Sequence, residues 1–170
     1  MMLRLRPYRR SDAAHIVKWA DTERIHALWC GSQLQYPAVE EEFQRKLEEN
    51  ELKWNQCAFM VTKRDGTPIG SFQIGVNIKE SSGFVSMVIL EPAERGKGYG
   101  RQMIGLLREY AFTSAGLESL RLIVFDCNAA AVETYRRAGF VETERVLQAF
   151  SFGEERWGRI FMELKKGNIK

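Results

Sequence analysis

The sequence is poor in cysteine and has no long apolar run. Its 170 residues include three cysteines and two histidines. The cysteines are odd in number and widely spaced, with no CxxC pair, so neither a disulfide framework nor a metal site is expected, and the thiols are predicted to be reduced and buried. No apolar stretch approaches the roughly 18 residues of a membrane helix, and the N-terminus lacks a signal-peptide core. We therefore expect a cytoplasmic protein that does not bind membranes.

The charge also lacks a dominant sign. Against 22 acidic residues stand 25 basic ones, which gives a formal net charge of +3. This balance does not favour a nucleic-acid partner, and any anion site must be local. A hydrophobic content of 45% over this length is typical of one globular domain, which we expect to span residues 1–170.

Apolar periodicity predicts the element order β-α-α-β-β-β-α-β-α-β-β, an α/β fold with a mixed central sheet flanked by helices. "LRLRPY" predicts a first strand, and Ser11 or Asp12 can cap the helix that follows. The segment from there to Pro37 is interpreted as helix followed by loop. Asp65-Gly66 lies between two runs rich in Val, Ile and Phe and predicts a hairpin.

The second half of the chain gives clearer patterns. After a strand "GFVSMVIL", a helix is predicted from about Tyr99 to Ser114, then a strand "SLRLIVF". A helix from Asn128 to Ala138 and two strands around Gly153 complete the order.

The stretch "RGKGYG", residues 95–100, lies between a predicted strand and a predicted helix. A helix start offers unpaired N–H groups and the positive end of the helix dipole, and glycines let the backbone approach an anion closely. The Walker A spacing fails, because Glu91 stands where its first glycine belongs. The dinucleotide spacing G-x-G-x-x-G fails from either glycine as well. The pattern R-x-x-G-x-G remains.

With "VILEP" before it, this pattern resembles the coenzyme A pyrophosphate loop of the GNAT N-acetyltransferases. The second motif of that family, an Asn followed seven residues later by Tyr and then Gly-Phe, is matched by Asn128, Tyr135, Gly139 and Phe140. The resemblance covers residues 82–145 closely. The opening "LRLRPYRRSDAAHIVKWA" is further similar to the ribosomal-protein N-terminal acetyltransferase subgroup.

The resemblance implies the GNAT fold and transfer of the acetyl group of acetyl-CoA to a primary amine, on a protein N-terminus or a small molecule, by direct attack in a ternary complex. A non-catalytic acyl-CoA sensor is the alternative, and homodimers are common among similar proteins. The cofactor-binding residues implied are Val88, Ile89, Leu90, Arg95, Gly96, Lys97, Gly98, Tyr99, Gly100 and Asn128.

Two residues are assigned to catalysis. Tyr135, two helical turns after Asn128, is expected to protonate the departing thiolate, unless it is a buried tyrosine that only packs. Asn128 suits N-capping as well as cofactor contact. Glu91, at the end of the cofactor strand, is the candidate general base, with Asp126 at the next strand end as another. Three further carboxylates are expected to be surface charges: Glu23, Glu142 and Glu144.

Other candidates are weaker. His26 and Cys30 are at i, i+4 spacing, but we expect an exposed ring beside a buried thiol, so direct transfer is preferred to a cysteine intermediate. Trp29 is the tryptophan expected to line an acceptor pocket, and the others are expected in the core. Many relatives carry an acidic residue entering the last strand, whereas Trp157, Gly158 and Arg159 stand there in this chain.

Overall fold

The computed structural model describes residues 3–168. Its elements are β1 (Arg4–Pro7), α1 (Ala13–Trp19), α2 (Glu23–Cys30), α3 (Glu40–Trp54), β2 (Gln56–Thr62), β3 (Pro68–Asn77), β4 (Ser82–Leu90), α4 (Tyr99–Glu109), β5 (Ser119–Phe125), α5 (Ala129–Arg137), β6 (Val141–Phe152) and β7 (Glu155–Lys165). A π-helical turn, Tyr110–Ser114, extends α4 to the residue predicted as its end. The predicted elements from β2 onward are confirmed.

The predicted order is wrong by one helix, because three helices rather than two lie between β1 and β2. The chain leaves the helical conformation at Ala20, where ψ is 61°. The hydroxyl of Thr22 then accepts a hydrogen bond from the N–H of Ile25 at 3.1 Å and caps a new helix. The segment interpreted as helix followed by loop is therefore two short helices, α1 and α2, with the loop after them.

Of the two residues predicted to cap the first helix, Asp12 occupies the N-cap position of α1, but its side chain accepts no hydrogen bond from an amide of that helix. The carboxylate of Asp12 accepts the N–H of Arg9 at 2.7 Å and two hydrogen bonds from Arg6, at 2.7 and 2.8 Å. Burial acts to raise the pKa of Asp12, but these hydrogen bonds and the Arg6 charge outweigh it and lower the pKa. The pair fastens β1 to the turn that leads into α1.

Seven strands form one mixed sheet in the order β1-β2-β3-β4-β5-β7-β6. The neighbours β4 and β5 are parallel, and every other neighbouring pair is antiparallel. The ladder between β4 and β5 runs only from Ser82↔Ser119 to Val85↔Leu122. Beyond it β5 remains paired with β7 and β4 with β3, so β4 and β5 part from each other. We call the resulting space the cleft; it lies at the C-terminal ends of both strands.

A β-bulge in β4 lies beside the cleft. Gln73 pairs with Ser86 but Ser71 pairs with Ile89, so Met87 and Val88 together oppose one residue of β3. Met87 has a φ of 47°. Val85 consequently packs in the core under α4 and α5, whereas Met87 and Ile89 pack in the second core, against α1, α2 and α3. Without the bulge, Met87 and Ile89 would face the same core as Val85. The bulge turns them to the opposite face of the sheet at the point where the cleft opens.

Candidate active site

The turn that leads into α4 is open and has unpaired amides. Gly96 and Gly98 have φ values of 75° and 82°, and a Cβ built on either would meet nothing within 4 Å. Glycine is therefore required here by the left-handed backbone and not by crowding. In residues 3–168, the N–H groups of Gly96, Lys97, Gly98 and Gly100 donate to no acceptor. This geometry suits a phosphate group at a helix start.

Arg95 uses its hydrogen-bonding groups within the protein. Its backbone N–H donates to the Pro92 carbonyl at 3.3 Å, and its Nε donates to the Leu90 carbonyl at 3.1 Å. Its Nη2 donates to the Trp19 carbonyl at 2.7 Å, and Nη1 lies 3.7 Å from Asp21. The guanidinium therefore ties the end of β4 to the end of α1, which leaves the residues after Arg95 as the better phosphate donors.

Lys97 supplies a cation within the open turn. Its side chain is 56% exposed, and Nζ lies 3.4 Å from Glu94. Lys63 donates to the other oxygen of Glu94 at 2.7 Å. The Lys63 and Lys97 hydrogen bonds outweigh desolvation and lower the pKa of Glu94. Two lysines thus neutralise the carboxylate of Glu94 beside the turn. The sequence motif did not indicate the contribution of Lys63.

The edge of β4 that faces the cleft presents the backbone of Leu90. The N–H of Glu91 donates to the Ile69 carbonyl at 2.9 Å, so Glu91 and Ile89 face β3. Because hydrogen-bonding direction alternates along an antiparallel strand, the N–H and C=O of Leu90 face the cleft. Arg95 already binds that carbonyl. The donor on the cleft side is consequently the N–H of Leu90 rather than that of Ile89.

Three elements meet at Gly100 in the first turn of α4. A Cβ built there would lie 3.5 Å from Cδ1 of Leu90 and 3.9 Å from Cγ2 of Thr134. Asn128 caps α5, accepting the N–H of Ala131 at 3.4 Å. The open turn, the cleft edge of β4 and the helix that carries Tyr135 are therefore adjacent.

Tyr135 is a largely buried residue of this region. Its side chain is 7% exposed and its ring packs edge-on against Phe140 at 5.8 Å. In the part of the chain that the structure describes, its hydroxyl has no hydrogen-bond partner. Burial raises the pKa of Tyr135 far above its usual value, which keeps the phenol neutral and able to donate.

The carboxylates at the strand ends have different surroundings. Glu91 is half-buried at the end of β4. Asp126 accepts the N–H of Gly158 at 2.9 Å, while its own N–H donates to the Gly158 carbonyl at 3.0 Å. A Cβ at position 158 would collide with Asp126. Asp126 therefore links the end of β5 to β7, and the space its carboxylate occupies explains the glycine at position 158. Because the Asp126 carboxylate is engaged in this contact, Glu91 is the better candidate base.

An aromatic wall lies on the α2 side of the cleft. It consists of Phe125, Phe150, Phe152 and Trp157, whose ring centroids are 4.7–5.5 Å apart in four pairs. A Cβ on Gly31, directly after α2, would lie 3.8 Å from Phe150 and 4.0 Å from Phe125. The wall thus joins the ends of β5 and β7 to the C-terminal end of α2.

Two of the four tryptophans are not placed as the sequence suggested, whereas Trp19 and Trp157 are buried as expected. Trp29 packs on Phe43 at 5.6 Å in the second core, and its buried Nε1 has no partner in residues 3–168. Trp54, expected in the core, is 59% exposed. The wall contains Trp157 instead, brought beside α2 by the turn between β6 and β7.

The cysteine pair does not form an activated nucleophile. Sγ of Cys30 lies 3.6 Å from Nε2 of His26, but burial raises the pKa of Cys30 to about 11 and lowers the pKa of His26. The thiol is buried as expected, whereas the expected exposed ring is wrong, since Trp29 and Tyr36 enclose His26. Cys57 and Cys127 are free but exposed, so the prediction of buried thiols holds only for Cys30.

This difference predicts the order of alkylation. In native protein at neutral pH, iodoacetamide is expected to label Cys57 and Cys127 and to spare Cys30, because a thiol with a pKa of about 11 is almost entirely protonated. Peptide mass mapping after timed labelling measures this. Labelling of Cys30 as fast as Cys57 would contradict a buried, protonated thiol.

The chain is similar in sequence and in fold to known acetyltransferases. It is 28% identical over 151 residues to spermidine N(1)-acetyltransferase of Vibrio cholerae, across 87% of this chain and 84% of that protein. It is 30% identical to IAA acetyltransferase of Azospirillum brasilense over 84 residues, 49% of this chain and 54% of that protein. The crystal structure of the Vibrio cholerae spermidine N-acetyltransferase in complex with CoA and spermine superposes with a TM-score of 0.85 at 23% identity, covering 98% of this chain and 97% of that one. This structural similarity shows that the two chains share one fold.

The sequence profile described as the acetyltransferase (GNAT) family matches residues 22–140. The chain therefore belongs to the GNAT acetyltransferase family, which confirms the resemblance carried by the loop and by the second motif. It is an acetyl-CoA-dependent N-acetyltransferase, with acetyl-CoA as the acyl donor and an amine as the acceptor. Between residues 3 and 168, no helix is long and apolar enough to cross a membrane.

Proposed function

We propose that the protein transfers the acetyl group of acetyl-CoA directly to a primary amine of a small molecule. One observation carries this proposal: the cleft between β4 and β5 has the open glycine turn at one side and the aromatic wall at the other. A donor held at the turn and an acceptor held at the wall would meet at the end of β4. No covalent intermediate on the protein is needed, and Cys30 is unsuited to form one.

The donor side is formed by backbone. The unpaired amides of Gly96, Lys97, Gly98 and Gly100 would bind the pyrophosphate, with the Lys97 side chain beside them, and Tyr99 begins the helix whose dipole favours an anion. The cleft edge of Val88–Leu90 would pair with the pantetheine arm as an added strand. The N–H of Leu90 would polarise the thioester carbonyl. Asn128 would cap the start of α5 near the pantetheine arm.

The acceptor must arrive as a neutral amine. An aliphatic amine with a pKa of roughly 10.4 is almost fully protonated at neutral pH, so a proton must leave before or during attack. Glu91, half-buried at the end of β4, would take that proton, directly or through water. The neutral amine nitrogen then bonds to the acetyl carbon, the carbon–sulfur bond breaks, and the nitrogen loses its second proton to water as the amide forms. The departing thiolate accepts a hydrogen bond or a proton from Tyr135, and a proton given up by Tyr135 is replaced from water.

The enclosure of the acceptor side favours a small molecule over a protein N-terminus. α2 lies against the wall through Gly31 at one end and Arg24 at the other. The similarity to spermidine N(1)-acetyltransferase makes spermidine the first acceptor to test. The protein N-terminus, the ribosomal-protein subgroup, a homodimer and a cytoplasmic location stay predictions from the sequence.

Thiol release in the presence of an amine panel tests this function. With acetyl-CoA in excess, spermidine and simple diamines are expected to release free CoA far faster than peptides with free N-termini. A panel in which only peptides react would overturn the small-molecule acceptor. Stabilisation of the fold by acetyl-CoA with no thiol release for any amine would favour the acyl-CoA sensor instead.

A further inference from the structure

Arg24 of α2 places its guanidinium against the outer end of the aromatic wall. Its Cζ lies 5.1 Å from the ring centre of Trp157 and 5.8 Å from that of Phe152. Its Nη1 donates to Oε1 of Glu155 at 2.7 Å, while Nε1 of Trp157 donates to Oε2 of Glu155 at 2.8 Å. Two aromatic faces and one carboxylate thus surround a cation. We call Trp157, Phe152 and Glu155 the cation cage.

The cage is on the acceptor side of the cleft. Trp157 packs against Phe125, the last residue of β5, with ring centroids 5.2 Å apart. The pairing of β5 with β4 ends at Leu122. Phe125 lies three residues further along β5 and therefore borders the cleft. An acceptor whose reacting nitrogen lies in the cleft could therefore extend along the wall into the cage.

The resident cation is held weakly enough to be exchanged. The side chains of Arg24 and Glu155 are 44% and 50% exposed, and ion pairs this exposed add little to stability. Trp157, by contrast, is 2% exposed and fixed by three neighbouring rings. The aromatic faces and the carboxylate would remain in place if the arginine swung into solvent. An ammonium group has the charge that this cage selects.

We propose that the cation cage binds a second, non-reacting ammonium group of the acceptor, and that Arg24 is an internal cation that this group displaces. The inference rests on the proposed function and narrows it to amines with at least two positive charges. Arg24 competes with this ammonium group for the cation cage and therefore raises KM for the acceptor. Glu155 is a specificity-determining residue and takes no part in the acetyl transfer itself.

The test compares each diamine in a series of increasing length with the alkylmonoamine of the same length. Arg24→Ala is expected to lower KM for the diamines about three- to tenfold, and Glu155→Gln is expected to raise it by a similar factor. KM for the monoamines should not change in either variant. Arg24→Lys, which keeps the cation, should behave like the unaltered protein.

The exposed pair Lys166–Glu118 supplies matched controls. It lies at the opposite end of β5 from Phe125, with side chains 44% and 66% exposed. Lys166→Ala and Glu118→Gln change the net charge equally and should leave both KM values as they were. Melting temperatures confirm that each variant is folded.

The outcomes separate the two proposals. If amines are acetylated but Arg24→Ala and Glu155→Gln leave the preference for diamines unchanged, the cage inference is overturned and the proposed function stands. A change of equal size in the control variants would also overturn it, because net charge would then explain the effect. If no amine is acetylated, the proposed function fails and the cage inference fails with it.

Discussion

Tyr135→Phe is expected to lower kcat about 100-fold while leaving the affinity for acetyl-CoA unchanged. The Tyr135 residue is buried, its phenol is neutral, and its hydroxyl has no hydrogen-bond partner within residues 3–168. It is therefore free to donate to a sulfur that becomes negative as the carbon–sulfur bond breaks. A positioned acid of this kind contributes roughly 10² to 10⁴ in rate. Steady-state thiol release gives kcat, and calorimetric titration gives the dissociation constant of acetyl-CoA.

Tyr110→Phe is the matched control for this change. Tyr110 is also partly buried, but it lies at the end of α4, with its ring 4.6 Å from that of Phe59. Removing its hydroxyl should leave kcat nearly unchanged. Full turnover in Tyr135→Phe would show that another donor, such as water, protonates the leaving sulfur.

Gly98→Ala is expected to weaken the binding of acetyl-CoA at least tenfold. Gly98 has a left-handed φ of 82°, which costs an L-residue about 1–2 kcal/mol. Its new methyl group would project into the open space before α4, where we place the pyrophosphate. The dissociation constant of acetyl-CoA, measured by titration calorimetry, should therefore rise even though the ligand-free fold has room for the methyl group.

Gly66→Ala separates backbone strain from loss of the ligand site. Gly66, in the turn between β2 and β3, has a φ of 92° and also has nothing within 4 Å of an added Cβ. Both variants should lose a similar amount of stability, and only Gly98→Ala should lose affinity. Equal dissociation constants in the two variants would place the pyrophosphate elsewhere.

The local conformations that the sequence predicted correctly depend on signals within a few residues. Glycines at 96 and 98 mark left-handed backbone before a periodic helix, and the Asp65-Gly66 hairpin needs only its own residues. The side chain of Asn128 and the first turn of α5 lie within four residues of each other. Patterns of this kind predict where a helix or turn begins from neighbouring residues alone, whatever the element packs against in the folded protein.

The parts that the sequence missed depend on distant partners. Whether Arg95 meets a phosphate or the carbonyl of Trp19, 76 residues away, is decided by how α1 packs. Trp157 lies beside α2 because the turn between β6 and β7 brings it to Arg24. The bulge at Met87 requires the register between β3 and β4, which no local pattern of apolar residues specifies.

A crystal structure with bound acetyl-CoA would show whether the turn before α4 binds the pyrophosphate. Pyrophosphate oxygens are expected within about 3 Å of the amide nitrogens of Gly96, Gly98 and Gly100, with the thioester at the end of β4 beside Leu90. Acetyl-CoA bound at another surface, with the turn before α4 empty, would contradict this expectation.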